Sequence, residues 1–293
     1  MTNDNRASSW RLRSRTLAFG KRPLLMGIVN VTPDSFSDGG NFHSHQAAVA
    51  RALTLLDDGA EIVDIGGEST RPYAARVAAS EEAARVLPVI AEIHRLRPEA
   101  VLSIDTSKAE IAREALAAGA EIVNDVTGLG GDPLMIEVVR ATGAGVCVMH
   151  MRGTPQTMQD DPRYDDVVTE VRDFLRERAA QLIAAGLEQT RIAIDPGIGF
   201  GKTHQHNLNL MASCDQLHAL GYPVVVGHSL KAFIGKLIGD KSADRTAGTI
   251  GGALALARQG VQIVRVHEVR ATAEALRLFE ACGGIDGSAG ILS

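Results

Sequence analysis

Short, continuous apolar runs rich in β-branched residues alternate along the chain with longer alanine-rich stretches of helical periodicity. The runs predict strands at Leu25–Asn30, Glu61–Ile65, Val101–Ile104, Glu121–Asn124, Gly145–Met149, Arg191–Ile194, Pro223–Val226 and Gln262–Val266. They do not alternate polar with apolar, which is how parallel strands covered on both faces read. The stretches between them predict helices at His45–Asp58, Ser80–Leu96, Lys108–Ala118, Pro133–Ala141, Tyr164–Ala185, Leu208–Ala219, Ala243–Arg258 and Arg270–Ala281. Several end on a glycine (Gly59, Gly119, Gly143, Gly186, Gly221, Gly260), the residue that takes the left-handed conformation closing a helix. About eight strand–helix units are what closes a (β/α)₈ TIM barrel. An open doubly wound sheet would more often carry a GxGxxG turn after its first strand, and here that strand runs into Asn30-Val31-Thr32-Pro33.

The 293 residues suit a single α/β barrel, typically about 250 residues. Residues 1–20 are expected to form an extension, a hairpin closing the barrel bottom, residues 21–282 the barrel, and residues 283–293 a loose glycine-rich tail. With 45% hydrophobic and 22% charged residues the chain is neither disordered nor fibrous. A net charge of −5, with only interrupted basic residues at Arg11–Arg15 and Lys21–Arg22, argues against nucleic acid. No apolar run approaches the roughly 18 residues of a membrane span. The N-terminus lacks the apolar core of a secretory signal, so a cytoplasmic protein is expected. Cys147, Cys214 and Cys282 are odd in number and far apart, which speaks against a disulfide framework or a zinc site.

Candidate chemistry follows from the barrel, because catalytic groups sit at the C-terminal ends of its strands. Those positions hold Asn30, Asp64 with the Gly66–Pro72 loop, Asp105-Thr106, Asn124-Asp125, Met149-His150-Met151, Asp195-Pro196-Gly197, Ser229 with Lys231, and Arg265 with His267. Asp105, Asn124, Asp195 and Lys231 together offer acceptors and donors to a planar heterocycle that has both, such as a pterin edge. Asn30, Arg265 and His267 favour an anion, with the Asn30 oxygen open to Mg²⁺.

Each residue also has a plainer reading. Asp105 and Asp195 serve structural ion pairs, Asn124 caps a loop, and Asp64 orders one. Asp34 and Asp38 make turns, Lys231 is solvated or forms a Schiff base, and Arg265 and His267 pair with Glu268. Gly197–Thr203 looks like a phosphate loop but has Pro196 where the first glycine belongs. His204 and His206 are read as solvated rather than metal-binding, and Met149-His150-Met151 as a strand end rather than a copper site.

At these residues the chain resembles the dihydropteroate synthase family. The likeness is carried by Met26 through Gly40, Gly66 through Pro72, Ile104-Asp105-Thr106, Val123-Asn124-Asp125, Asp195 through Lys202, and Arg265-Val266-His267, in that order. The resemblance implies a transferase of folate biosynthesis and a target of sulfonamides. It condenses a dihydropterin methyl diphosphate with p-aminobenzoate and releases pyrophosphate with Mg²⁺ assistance. It further implies that Asn30 binds metal and diphosphate, and that Asp105, Asn124, Asp195 and Lys231 hold the pterin in a pocket lined by Met149. Arg265 and His267 then hold the diphosphate, with Arg265 also against the pterin face. Val31–Gly40 and a loop carrying Thr70 and Arg71 close over the site, and Ser229 with Lys231 lies at the aryl-acid end. The family is often dimeric, so a homodimer is expected.

The chain departs from the family at three places. Leu230 replaces an arginine, Ala232 a small polar residue, and Tyr73 a frequent glycine. All three lie near the aryl-acid end. Two other functions fit parts of the pattern: a pterin-binding protein without turnover, and a methyltransferase acting on methyltetrahydrofolate with a corrinoid partner.

Overall fold

The computed structural model describes residues 5–32, 40–71, 73–240 and 242–287. Asp34, Asp38, Pro72, most of the Val31–Gly40 segment and the end of the tail lie outside the described residues. Eight parallel strands form the central sheet: β3 (Leu24–Asn30), β4 (Ile62–Gly66), β5 (Val101–Asp105), β6 (Ile122–Asp125), β7 (Gly145–Met149), β8 (Ile192–Asp195), β9 (Val225–Val226) and β10 (Ile263–Val266). They are paired in ring order, with β10 between β3 and β9. A parallel bridge, Ile194 to Val224, brings β8 against the start of β9 and joins the two ends of the sheet. The helices around this ring are α1 (Gly40–Asp57), α2 (Ala79–Leu96), α3 (Ala109–Ala117), α4 (Met135–Thr142), α5 (Val167–Ala184), α6 (His204–Ala212), α7 (Ala232–Ile238), α8 (Thr246–Arg258) and α9 (Val269–Ala281). The fold is the TIM barrel expected from the strand–helix count.

Alternate residues of each strand face the barrel interior and the helices. The inward set starts at a packed floor. Met26, Ile62, Val101, Ile122, Cys147, Ala193, Val225 and Ile263, one from each strand, cluster with Trp10 and Leu12. Those last two come from the hairpin of β1 (Ser9–Arg11) and β2 (Thr16–Ala18), which plugs the strands' N-terminal ends. Trp10 has no exposed surface, and its indole N–H donates to the Arg191 carbonyl at 2.8 Å. Gly145 makes room for the plug, since a Cβ there would lie 2.6 Å from Leu12. The outward residues pack on the helices in a separate, larger core that includes Leu25, Val29, Val63 and Ile65. No helix among the described residues is long and apolar enough to cross a membrane.

Several local features differ from the sequence expectation, among them α1, which begins at Gly40 rather than His45. β9 is reduced to two residues because the N–H of Val224 is taken by the Gln262 side chain at 3.0 Å rather than by a strand neighbour. A separate helix, α7, precedes α8; its seven residues include Gly235 and are followed at once by Gly239, weak helix formers that hide it from a propensity reading. The expected helix at Leu208–Ala219 is instead α6 followed by a 3₁₀ segment at Cys214–Leu220. α6 starts earlier than expected because Thr203 and His206 form a capping box, a role more often given to Glu or Gln. The tail begins folded: Gly284–Asp286 is a 3₁₀ turn, and the Ile285 amide donates to Lys21 O at 3.4 Å.

Candidate active site

Two residues above the floor, the inward positions turn polar. This is the same alternation continued: Asp64 follows Ile62, Ser103 follows Val101, Asn124 follows Ile122, Asp195 follows Ala193, and Arg265 follows Ile263. One step higher are Asn30, Gly66, Asp105 and His267. Arg265 organises the layer. Its Nε donates to Asp64 Oδ2 at 2.6 Å and its Nη2 to Asp105 Oδ2 at 2.9 Å. The Asn124 amide donates to the same Asp64 oxygen at 2.9 Å, and Asp64 is wholly buried. Gly66 leaves space beside Asp105, whose Cβ would stand 3.4 Å from a side chain there.

The electrostatics follow from burying these charges together. Burial pushes Asp105 up to about 7; Arg265 opposes this, and the charge of Asp64 adds to it. Burial also pulls on Arg265, but Asp64 and Asp105 outweigh it and hold the guanidinium charged. Across the mouth, burial raises Asp195, against the N–H of Gly197, which donates to its Oδ1 at 2.7 Å, and against the nearby charge of Lys231. Burial brings Lys231 down to about 7, Asp195 resisting and Arg265 assisting. The Lys231 ammonium donates to the Ile198 carbonyl and stands 4.5 Å from the centre of the Phe200 ring. Ser229 Oγ lies 3.0 Å from His267 Nδ1 and accepts from the His267 amide at 3.1 Å. Burial, then the charge of Arg265, lowers His267 to about 4, so the ring is neutral at pH 7. The Ser229 hydroxyl hydrogen is then available to Nδ1, which leaves the ring proton on Nε2.

The structure therefore brings Asp105, Asn124 and Arg265 into one bonded cluster. Asp195, Lys231, Ser229 and His267 stand around the same mouth. Met149 is buried on β7 in register with Asp195, and Asn30 is exposed at the end of β3. Thr70 is half-buried and Arg71 exposed on the loop after β4, and no hydrogen bond among the described residues ties either side chain to the cluster. The charge of Arg71 still reaches His267.

Several plainer readings are replaced. Arg265 pairs with Asp64 and Asp105 rather than with Glu268. Loop capping after β6 falls to Asp125, which accepts from the amides of Thr127 and Leu129, and not to Asn124. Asp64 orders no loop; it joins Arg265 to Asn124 inside the barrel, a role the sequence reading did not assign. Leu230 sits half-buried at φ 56°, its amide donating to Thr249 Oγ1 at 3.1 Å and its carbonyl accepting from Arg245 at 2.8 Å. Tyr73 is exposed at φ 65°, the left-handed region that glycine enters freely. Its amide donates to Pro155 O and its hydroxyl to Asp160, each at 3.1 Å.

Residues 26–267 match the family model for pterin binding enzymes. The chain is 48% identical over 266 residues to dihydropteroate synthase of Neisseria meningitidis serogroup C, covering 89% of this chain and 93% of that protein. It is similar to a solved structure of Xanthomonas albilineans dihydropteroate synthase with 4-aminobenzoic acid, at TM-score 0.87 and 44% identity, covering 94% of this chain and 98% of that one. A structure of the same synthase in complex with 7,8-dihydropteroate matches at TM-score 0.83 and 42% identity, covering 93% and 98% of the two chains. With this identity along nearly its whole length, the chain belongs to the dihydropteroate synthase family.

Proposed function

We propose that the barrel mouth condenses a (7,8-dihydropterin-6-yl)methyl diphosphate with p-aminobenzoate, giving 7,8-dihydropteroate and pyrophosphate. The observation that supports this most directly is the Arg265 fork between Asp64 and Asp105, facing the Asp195–Lys231 side of one buried polar layer. A flat heterocycle with donors on one edge and acceptors on the next can be matched at both edges there. Asp195 and Asp105 accept from its amino and ring N–H groups, and Lys231 donates to its carbonyl and ring nitrogens. Asp64 holds the Asn124 N–H₂, so the Asn124 carbonyl is the group turned to the ligand.

Arg265 engages its Nε and Nη2 with carboxylates. Its flat face and Nη1 remain, so it serves the pterin as a stacking plane more than the diphosphate as a fork. The diphosphate is met by the Nε2–H of neutral His267, the positive field of Arg265 and Arg71, and Asn30. Among the described residues no cluster of three His, Cys, Asp or Glu could cage a metal. One hard Asn30 oxygen suits Mg²⁺ when diphosphate oxygens complete the shell. Bound there, the ion would neutralise charge developing on the leaving group.

In the reaction the bond from the exocyclic carbon to the diphosphate oxygen breaks, and its electron pair leaves with pyrophosphate. The aryl amine lone pair forms the new C–N bond, and the amine sheds a proton. No side-chain nucleophile takes part. The protein contributes positioning and fixed charge. Ser229, Lys231 and the loop bearing Thr70 and Arg71 flank the approach of p-aminobenzoate.

The test is pyrophosphate release from the pterin diphosphate with and without p-aminobenzoate, with the product identified by mass. Dihydropteroate formed only with both substrates is the expected result. Tight pterin binding without turnover would replace the proposal with a binding protein.

A further inference from the structure

The Gly197–Thr203 segment resembles a phosphate loop, and the chemistry proposed above makes no use of its lysine. Lys202 is almost wholly buried. Its Nζ is 3.0 Å from His150 Nδ1 and donates to Phe200 O at 2.9 Å and to His150 O at 3.3 Å. The Nζ is thus held at three points, two of them main-chain carbonyls. Gly197, Gly199 and Gly201 all have positive φ, and the loop they build is pressed between two neighbours. A Cβ on Gly197 would lie 1.9 Å from His150 O, and one on Gly199 2.9 Å from the Lys231 side chain. At Gly197 the main-chain oxygen leaves no room for a side chain, and at Gly199, also a left-handed backbone position, a side chain would displace that of Lys231.

We propose that Lys202 is a positioning residue: its buried Nζ clamps the end of β7 to the loop after β8, and so holds the Ile198 carbonyl and the Phe200 ring that seat Lys231. Phe200 links the two lysines, its carbonyl taken by Lys202 and its ring by Lys231. Lys202 stands well below the usual lysine range, first from burial and then from the charges of Lys231 and Arg152, with Asp195 opposing. Lys231 itself is faced by Asp195 from β8 and Arg265 from β10. The importance of seating Lys231 rests on the proposed pterin site, but the seating can be read without turnover.

The test is the reactivity of the Lys231 amine toward acetic anhydride, measured as a function of pH by peptide mass spectrometry on the ligand-free protein. In the wild type the labelling midpoint should fall near 7. Lys202→Met frees the loop and lets water reach Lys231, which relieves the desolvation that depresses it and raises the midpoint, by about one pH unit or more. Lys202→Gln keeps two N–H donors without charge and should fall between; it carries the test alone if the methionine variant does not fold. KM for the pterin substrate should rise about tenfold in Lys202→Met, the scale of one lost charge-assisted contact. A folded variant with wild-type Lys231 labelling would reduce Lys202 to a core lysine and overturn the proposal. A shifted midpoint in a protein without turnover would instead uphold the clamp and refute the synthase reading.

Discussion

Asp64 offers the sharpest test of how the polar layer is held. Its Oδ2 accepts both from Arg265 and from Asn124, and its Oδ1 has no partner among the described residues. Asp64→Ala therefore strips a buried guanidinium of one counter-ion and leaves the Asn124 N–H₂ without an acceptor. Breaking a buried ion pair from one side costs about 3–5 kcal/mol. For a chain of this length that corresponds to a fall in Tm of roughly 6–20 °C, taking about 2–4 °C per kcal/mol. Trp10, the single tryptophan of the chain, is buried in the barrel floor, so urea unfolding can be followed by its fluorescence. An Asp64→Ala protein within about 1 kcal/mol of wild type would refute the network, because ordinary surface changes already span that range.

Asp64→Asn separates charge from geometry. A carbonyl placed where Oδ2 stands keeps both hydrogen bonds, while the N–H₂ occupies the unpartnered Oδ1 position. The negative charge is lost, and with it one of the influences holding Asp105 near 7. The sign runs as linkage requires: between the unfolded value of 3.8 and the folded value of about 7, the native protein binds a proton that the unfolded chain does not. Stability attributable to Asp105 thus declines as pH rises through that window. In Asp64→Asn the Asp105 pKa should drop and the decline should flatten. An unchanged slope of unfolding free energy against pH would show that Asp64 does not act on Asp105.

Lys231→Met should abolish useful turnover and remove a cation that burial disfavours. The wild type should gain stability as pH rises from about 7 to 10.5, where only its unfolded chain protonates Lys231, and the variant should lack that gain. Asp195→Ala should keep the fold and lower kcat/KM by about tenfold or more, the loss of a charge-assisted pair to the pterin edge; activity within twofold of wild type would exclude Asp195 from the site. Asn30→Ala should raise the Mg²⁺ concentration needed for pyrophosphate release, and full activity in EDTA would remove the metal from the reaction. Leu230→Arg should lower KM for p-aminobenzoate several-fold without changing KM for the pterin substrate or the Tm. The gain is bounded at about 1 kcal/mol if the turn is wet, and an unchanged KM would mean that the side chain at 230 points away from the aryl acid.

The barrel is legible because its strands are covered on both faces and its polar residues collect at strand ends. The same property hides the interior layer. Ile62, Val63 and Ile65 are all fully buried, two in contact with helices and one in the floor, so β4 shows no polar–apolar alternation to reveal which way Asp64 faces. Parity becomes visible only once Ile62 is found in the floor with Trp10, and Asp64 must then point inward two residues later. Its partner Arg265 lies 201 positions away, a separation that no local pattern spans. The departures at Leu230 and Tyr73 are similar. Both are ordinary residues in the sequence, yet both occupy left-handed backbone, where a side chain costs about 1–2 kcal/mol. Tyr73 offsets that strain with two contacts to the loop after β7. Leu230 has its backbone fixed from both sides by Thr249 and Arg245. Because those anchors hold the main chain and not the side chain, the residue at 230 can change its chemistry without moving Ser229 or Lys231. Under the proposed function, that independence would let the aryl-acid end change without disturbing Asp195 or Lys231 at the pterin end.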